Sequence, residues 1–183
     1  MWNWIVFCFL TLFLIYISRT SLRLPYSHGF YRFFAWEFML ALFMLNGKFW
    51  FQNPFAWNQI IAWTLLFVAL IPLAFGVYSL RSRGKASANR ESDPSLFTFE
   101  KTTQLVTSGV YKYIRHPLYS SLLLLALGIF FKHPSSAGGV LTIIAILFLI
   151  ATAKADEAEC IQFFGAEYQN YMQKTKRFIP FII

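Results

Sequence analysis

TSGVYKYIRHPLY, residues 107–119, is the stretch around which the rest of the chain is organised. Gly109 opens an aromatic and basic segment, Arg115 and His116 set two polar groups side by side, and Pro117 begins a long apolar run. Proline is accepted in the first turn of a helix, because the amide it lacks has no partner there, and it drives the preceding residue out of the helical region. The expected local structure is therefore an extended Tyr-Ile-Arg-His segment. It would end on the free amides of a helix start, where anionic groups are stabilised. The same residues also read as a basic flank in front of a membrane helix.

Outward from that stretch the chain is dominated by apolar runs. Of its 183 residues 57% are hydrophobic, with 22 Phe and 9 Tyr, and the mean hydropathy is +0.52. Soluble domains sit near 45–50% apolar, and the excess here is gathered into segments, as in an integral membrane protein. The formal net charge of +8 does not point to nucleic acid, because the basic residues flank apolar runs. Membrane lipids with anionic headgroups are the simpler partner. Cys8 and Cys160 are too few and too differently placed for a disulfide scaffold. Trp2 and Trp4 precede the first apolar run with no basic segment, which favours a retained first span over a cleavable signal.

The expected fold is all-α and polytopic, with about five transmembrane helices, a C-terminal helical hairpin and a cytoplasmic amphipathic helix. The chain reads as a single integral membrane domain. Residues 1–80 carry three spans, residues 81–108 form a cytoplasmic loop, and residues 109–183 carry the polar motif, the hairpin and the last helix. The three N-terminal spans cover residues 5–17, 31–45 and 59–80, and Pro72 offers a kink in the third. Residues 95–103, SLFTFEKTT, partly alternate and predict a short strand-like or irregular cover. Residues 118–131 and 140–153 are two short apolar runs, each below the roughly 20 residues of a full span. The turn KHPSSAGG at 132–139 joins them as a hairpin. A separate helix is expected over 155–174, opened by Asp156, Glu157 and Glu159, with Ile161, Phe164, Tyr168 and Tyr171 on one face. The tail at 178–183, FIPFII, reads as a plug or interfacial anchor. Of the 16 Lys and Arg residues, all but Lys48 and Lys132 fall in segments expected on one side. The positive-inside rule makes that side the cytoplasm and leaves the N-terminus outside.

His116 can exchange a proton near neutral pH, and the planar fork of Arg115 suits a carboxylate or phosphate. Tyr111, Tyr113 and Tyr119 can stack on a flat ligand or a cationic one, although each alone fits an interfacial aromatic belt. Glu37 is the one acid inside a candidate span, where an unpaired charge is costly. The three histidines are scattered and no His/Cys spacing matches a zinc site, so no metal is expected. No dinucleotide fingerprint or P-loop is present. Residue types and spacing therefore reach a small polytopic membrane protein with an anion-friendly cytoplasmic site.

Two blocks carry a resemblance. GVYKYIRHPLY (109–119) and DEAECIQFFGAEYQNYMQKTKRFIP (156–180) resemble the isoprenylcysteine carboxyl methyltransferase family, whose wider group includes phospholipid N-methyltransferases. The shared pattern is Arg115, His116, Pro117 and Tyr119, then Asp156 and Glu157, Phe164 and Gly165, Tyr168 and Tyr171, and Arg177 with Pro180. The chain departs from it in carrying Asp156 for the first acid of a Glu pair, and Ser120 or Ser121 where a smaller residue is usual. The resemblance implies an S-adenosyl-L-methionine-dependent methyltransferase, with a cofactor pocket at the cytoplasmic end of the last spans closed by the C-terminal helix. His116, Tyr119, Glu157, Tyr111 and Tyr113 are the expected cofactor-binding residues, and Arg115 and Glu37 the expected catalytic ones. The implied setting is the inner (plasma) membrane with the site facing the cytoplasm. The implied acceptor is a lipophilic small molecule, with a carboxylate the leading chemistry. A phospholipid amine N-methyltransferase and a non-catalytic accessory protein that retained the fold stand as alternatives.

Overall fold

Small residues repeat every seventh position along the third apolar run: Ala62, Ala69 and Gly76 are all buried. Lipid tails give apolar side chains no reason to cluster, so membrane helices associate where small residues let backbones approach. The computed structural model shows this seam in use. It describes residues 2–84 and 100–180, and among them every regular element is a helix. α1 spans Trp2–Leu22, α2 His28–Asn46, α3 Trp57–Arg83, α4 Pro117–Lys132, α5 Ser136–Phe164 and α6 Ala166–Lys174. α1, α3 and α5 are long and apolar enough to cross a membrane; α4 is a shorter apolar helix.

α3 and α4 run antiparallel along the small-residue seam. A side chain at Gly76 would press on Pro117 and Leu118 at 3.1–3.2 Å, and one at Gly128 would meet Leu66 at 2.8 Å and the Ala62 carbonyl at 3.3 Å. α2 and α5 form the second antiparallel pair, with Phe34 and Phe38 stacked on Phe148 at centroid distances of 5.2 and 5.6 Å. The two pairs meet at Met39, Ala126 and Ala145. α4 and α5 are joined by a short connection and do touch, yet α4 packs chiefly on α3 and α5 chiefly on α2. α1 leans on α2 and turns Ile5, Phe9, Leu12 and Phe13 outward.

The end of α4 is built unlike the solvated turn that its Lys132 suggests. The last four carbonyls of a helix have no partner inside it, and in lipid an unpaired carbonyl is costly. Here side-chain amides take all four. Asn46 donates to the Ile129 and Phe130 carbonyls at 2.8 and 3.4 Å. Asn58 donates to Phe131 and Lys132 at 3.2 and 3.3 Å, and Gln59 to Lys132 at 3.0 Å. Lys132 itself is 1% exposed. Its ammonium donates to Gln59 Oε1 at 2.9 Å and lies 3.5 Å from the centre of the Trp63 ring.

One local expectation changes. The acids at 156, 157 and 159 do not open a helix, because α5 runs unbroken from Ser136 through them to Phe164. A shift from apolar to polar composition is not a helix break when the residues are Ala, Lys and Glu, all good helix formers. The break falls instead at Gly165, whose φ of +61° suits glycine, and the expected helix over 155–174 is therefore divided. Residues 109–112 form a 3-10 turn. Only the following residues extend, and Ile114 bridges in parallel to Lys176. Pro72 lies inside α3 without ending it. Most of the 95–103 cover and the last residues of the C-terminal tail lie outside the described residues, whereas Phe178 is buried and its carbonyl accepts from Ser120 Oγ at 2.7 Å.

The seam yields a test. Gly128→Leu should lower the thermal midpoint in detergent by the equivalent of about 1–3 kcal/mol, the usual cost of overpacking. Phe67→Leu, on the outward face of α3, should leave it nearly unchanged.

Candidate functional site

Backbone pairing sets the site. Gly109, at φ +68°, turns the chain against α3, where any side chain would meet Ser79 Oγ at 2.9 Å. The extended segment then pairs with the strand-like tail. Arg115 N donates to the Lys176 carbonyl at 2.8 Å, His116 N to that of Arg177 at 3.1 Å, and Lys176 N to that of Tyr113 at 3.1 Å. Pro117 starts α4 with His116 as N-cap, in the non-helical conformation that proline imposes on its predecessor (φ −122°, ψ 62°).

The last turns of α5 meet this pairing with acids. Glu157 sits between two guanidinium groups. Arg115 Nε donates to its Oε1 at 2.9 Å, and Arg177 donates through Nε and Nη2 to its two oxygens at 3.1 and 2.6 Å. Arg115 also caps α6, because its Nη1 donates to the carbonyls of Met172, at 3.1 Å, and Thr175. Basic side chains suit the carbonyl end of a helix. One arginine thus fastens the tail helix to α5. Tyr171 adds a second tie, its hydroxyl donating to the Tyr111 carbonyl at 2.7 Å.

His116 lies between the two acids, Nδ1 3.4 Å from Asp156 and Nε2 3.3 Å from Glu157, and its ring stacks on Tyr119 at 5.3 Å. Burial pulls its pKa down, but the hydrogen bonds to Asp156 and Glu157 outweigh that and raise it above the ordinary histidine value. Burial also pushes the Tyr111 and Tyr171 hydroxyls well up, so both stay protonated as donors.

These groups surround one cavity at the end of the bundle where α2 begins and α5 ends. The unfilled space, its open mouth included, is ≈ 690 Å³, of which ≈ 100 Å³ admits the centre of a water molecule. Arg115, His116, Tyr119 and Asp156 line one side and Tyr111, Phe164, Tyr168 and Tyr171 supply aromatic walls. Glu157 stands behind this lining as the group that holds Arg115 and His116. Of the residues expected from sequence, Tyr113 is half exposed and outside the lining. Glu37 is placed at the α1–α2 contact, where Thr11 Oγ1 donates to it at 2.6 Å, and does not line the cavity.

Sequence reasoning passed over the contribution of α2. His28 is fully buried; its backbone amide donates to Glu159 at 2.9 Å and its Nδ1 pairs with the same carboxylate. One turn on, Arg32 Nη1 meets both oxygens of Glu100, a cavity-lining residue, at 3.1 and 3.0 Å. His28 and Arg32 are four apart, as Asp156 and Glu159 are three apart, so each pair shares one helix face. His28, Asp156 and Glu159 also lie close enough to share a cation. Each is instead engaged by a neighbour, His28 by Glu159 and Asp156 by His116.

Two measurements check this network. Glu157→Gln removes the counter-ion of two guanidiniums from a buried position. It should cost roughly 3 kcal/mol or more and expose the chain beyond Gly165 to protease. The folded state holds the His116 proton more tightly than the unfolded chain does. The stabilisation is thus complete below the ordinary histidine value and is lost as pH rises through the raised one. The thermal midpoint should fall as pH rises above the ordinary histidine value, and His116→Gln should remove part of that slope.

A model of the phospholipid methyltransferase family matches residues 65–167. A rice (Oryza sativa subsp. indica) relative described as a probable protein-S-isoprenylcysteine O-methyltransferase is 31% identical over 66% of this chain and 63% of its own length. The protein-S-isoprenylcysteine O-methyltransferase of Schizosaccharomyces pombe is 33% identical over 43% of this chain and 34% of its own. The methanethiol S-methyltransferase of Crocosphaera subtropica is 25% identical over 75% of this chain and 49% of its own. The chain thus spans less than two thirds of the length of these curated relatives. No solved structure matches it. The matched region covers more than half of the chain and holds α4, α5, the Arg115-His116 pair and the acids that meet it: the chain belongs to the phospholipid methyltransferase family.

Proposed function

We propose that this protein is an S-adenosyl-L-methionine-dependent methyltransferase of the plasma membrane. Its site faces the cytoplasm, its N-terminus lies outside, and its acceptor is a lipophilic small molecule. The observation that carries the reading is the convergence of Arg115, His116, Tyr119 and Asp156 on one cavity walled by the tail helix. The relatives add that the chemistry named for them is methyl transfer to oxygen or sulfur.

The donor set fits the cofactor. A sulfonium is a cation, and aromatic faces together with a carboxylate favour cations. Tyr111, Tyr168 and Tyr171 supply the faces, and Asp156 the acceptor oxygens for hydroxyl or amino groups. S-Adenosylmethionine supplies a methyl group already activated by its sulfonium, which leaves the protein to bind, orient and exclude water. His116 and Tyr119 hold Asp156 in place, and Glu157 holds His116. Arg115 works as a positioning residue, since its Nε and Nη1 are committed to Glu157 and to the end of α6. α6 then excludes water from its side of the cavity. Glu37 would favour an amine acceptor if it stood beside the methyl group, but its place against α1 gives that reading no support.

S-Adenosylhomocysteine should bind the detergent-purified protein. Asp156→Asn and His116→Ala should weaken it at least about tenfold, the loss expected for a buried charged hydrogen bond, and Tyr113→Phe should not. Labelled methyl groups should pass from the cofactor to a component of a membrane lipid extract. A folded sample that bound no S-adenosylhomocysteine in several lipids would replace this reading with that of an accessory protein.

A further inference from the structure

Glu167, Asn170, Tyr171 and Lys174 fall at the i, i+3, i+4 and i+7 positions of one face of α6. Tyr171 from that face walls the cavity, as does Leu105 from the segment ahead of α4. Both also line a second, open groove that shares this wall. Lys112 and Thr107 supply the groove's other side, and its unfilled space, the open mouth included, is ≈ 870 Å³. Register brings the two lysines to the same place. The parallel bridge of Ile114 to Lys176 is entered from Lys112 on one chain and from Lys174 on the other. Each is the last residue of its own element, the 3-10 turn and α6.

The neighbouring cations, Arg115 and Arg177, are committed to Glu157. Among the described residues Lys112 and Lys174 form no ion pair, and both are exposed. Glu167 is the one acid in the lining among the described residues. It precedes Lys174 by two turns, about 10 Å along α6. The groove thus has two cations at one end and an anion at the other, an excess of one positive charge that a phosphate diester balances. We propose that this groove is a site for the phosphate of an anionic phospholipid, held between Lys112 and Lys174, and that its occupation clamps α6 over the cavity. The inference deepens the methyltransferase reading and rests on it for what the cavity holds.

The surroundings favour a lipid phosphate over one in free solution. Tyr113 beside Lys112, Phe163 just ahead of α6 and Ile179 just beyond it are 50%, 49% and 47% exposed. The Lys112 ammonium lies 5.9 Å from the centre of the Tyr113 ring. Aromatic and apolar side chains next to lysines suit the headgroup layer, where a lysine meets lipid phosphate and its neighbours meet the acyl boundary. Thr107 and Asn170 add neutral donors for the remaining phosphate oxygens. The clamp follows from what the phosphate would bridge. Two contacts already cross this seam: the Tyr171 hydroxyl to the Tyr111 carbonyl, and Arg115 to the last carbonyls of α6. A phosphate between the lysines makes a third and restrains Tyr171, which groove and cavity share. A wall held shut retains the ligand behind it, and by linkage that ligand strengthens lipid binding in return.

The test uses the full chain in nanodiscs of phosphatidylcholine alone and of phosphatidylcholine with phosphatidylglycerol. The readouts are S-adenosylhomocysteine affinity and the rate of proteolysis beyond Gly165. Phosphatidylglycerol should tighten S-adenosylhomocysteine binding at least about fivefold and slow the cleavage. Lys112→Gln/Lys174→Gln should abolish both effects and leave the values in phosphatidylcholine unchanged. Arg81→Gln/Lys154→Gln removes the same charge from exposed positions outside the groove and should keep both effects. Equal affinity and equal cleavage in the two discs would overturn the proposal. So would loss of the effects in the Arg81/Lys154 variant, or their reproduction by inorganic phosphate in phosphatidylcholine discs. Cleavage that responds to phosphatidylglycerol and to the lysine pair, in folded protein that binds no S-adenosylhomocysteine, would remove the methyltransferase reading and keep the lipid site.

Discussion

The two guanidiniums on Glu157 are the interaction on which the polar half of the molecule depends. Neither arginine is local to the acid. Arg115 precedes α4 and Arg177 follows α6, so one carboxylate joins three parts of the chain. The backbone pairing of Arg115 and His116 with the tail lies alongside. A buried ion pair is no simple gain in stability, since desolvation offsets much of its attraction. What it gives here is registry. With Glu157 satisfied, His116 faces Asp156, Arg115 reaches the last carbonyls of α6, and the aromatic wall closes over the cavity.

The other half of the molecule obeys a different constraint. Away from the site the helices cannot gain by hiding apolar surface from water, so they associate through small residues and through polar groups that have nowhere else to go. The seam of Ala62, Ala69 and Gly76 against α4 is the first device, and the amide caps on the last carbonyls of α4 are the second. Lys132 belongs to the second. Its ammonium rests on an indole face and a glutamine oxygen, a stable place for a cation.

Much of this was legible beforehand. Apolar runs marked the helices to within a few residues, Pro117 marked the start of α4, and the Arg-His and Asp-Glu blocks marked one side of the cavity. The remainder was hidden for identifiable reasons. α5 was cut short because a change from apolar to polar residues looks like a boundary, although the helix carries on to Phe164 with its polar residues packed against the site. Glu37 drew attention as an acid within a span, but sequence alone does not say which face of α2 it occupies. His28 and Arg32 were not singled out, because their partners at Glu159 and Glu100 lie far along the chain. The His28–Glu159 pair becomes visible only once α2 and α5 are known to run side by side.

The length of α5 has one more consequence. At about 1.5 Å per residue, 29 residues make a rod of roughly 43 Å, against a hydrocarbon layer of about 30 Å. Asp156 and Glu157 come near the end of that rod, so under the proposed function methyl transfer would take place at headgroup depth, above the oily interior. A long-chain molecule could then present its polar end for chemistry without its tail ever leaving the bilayer, and the product could diffuse away sideways in the same leaflet.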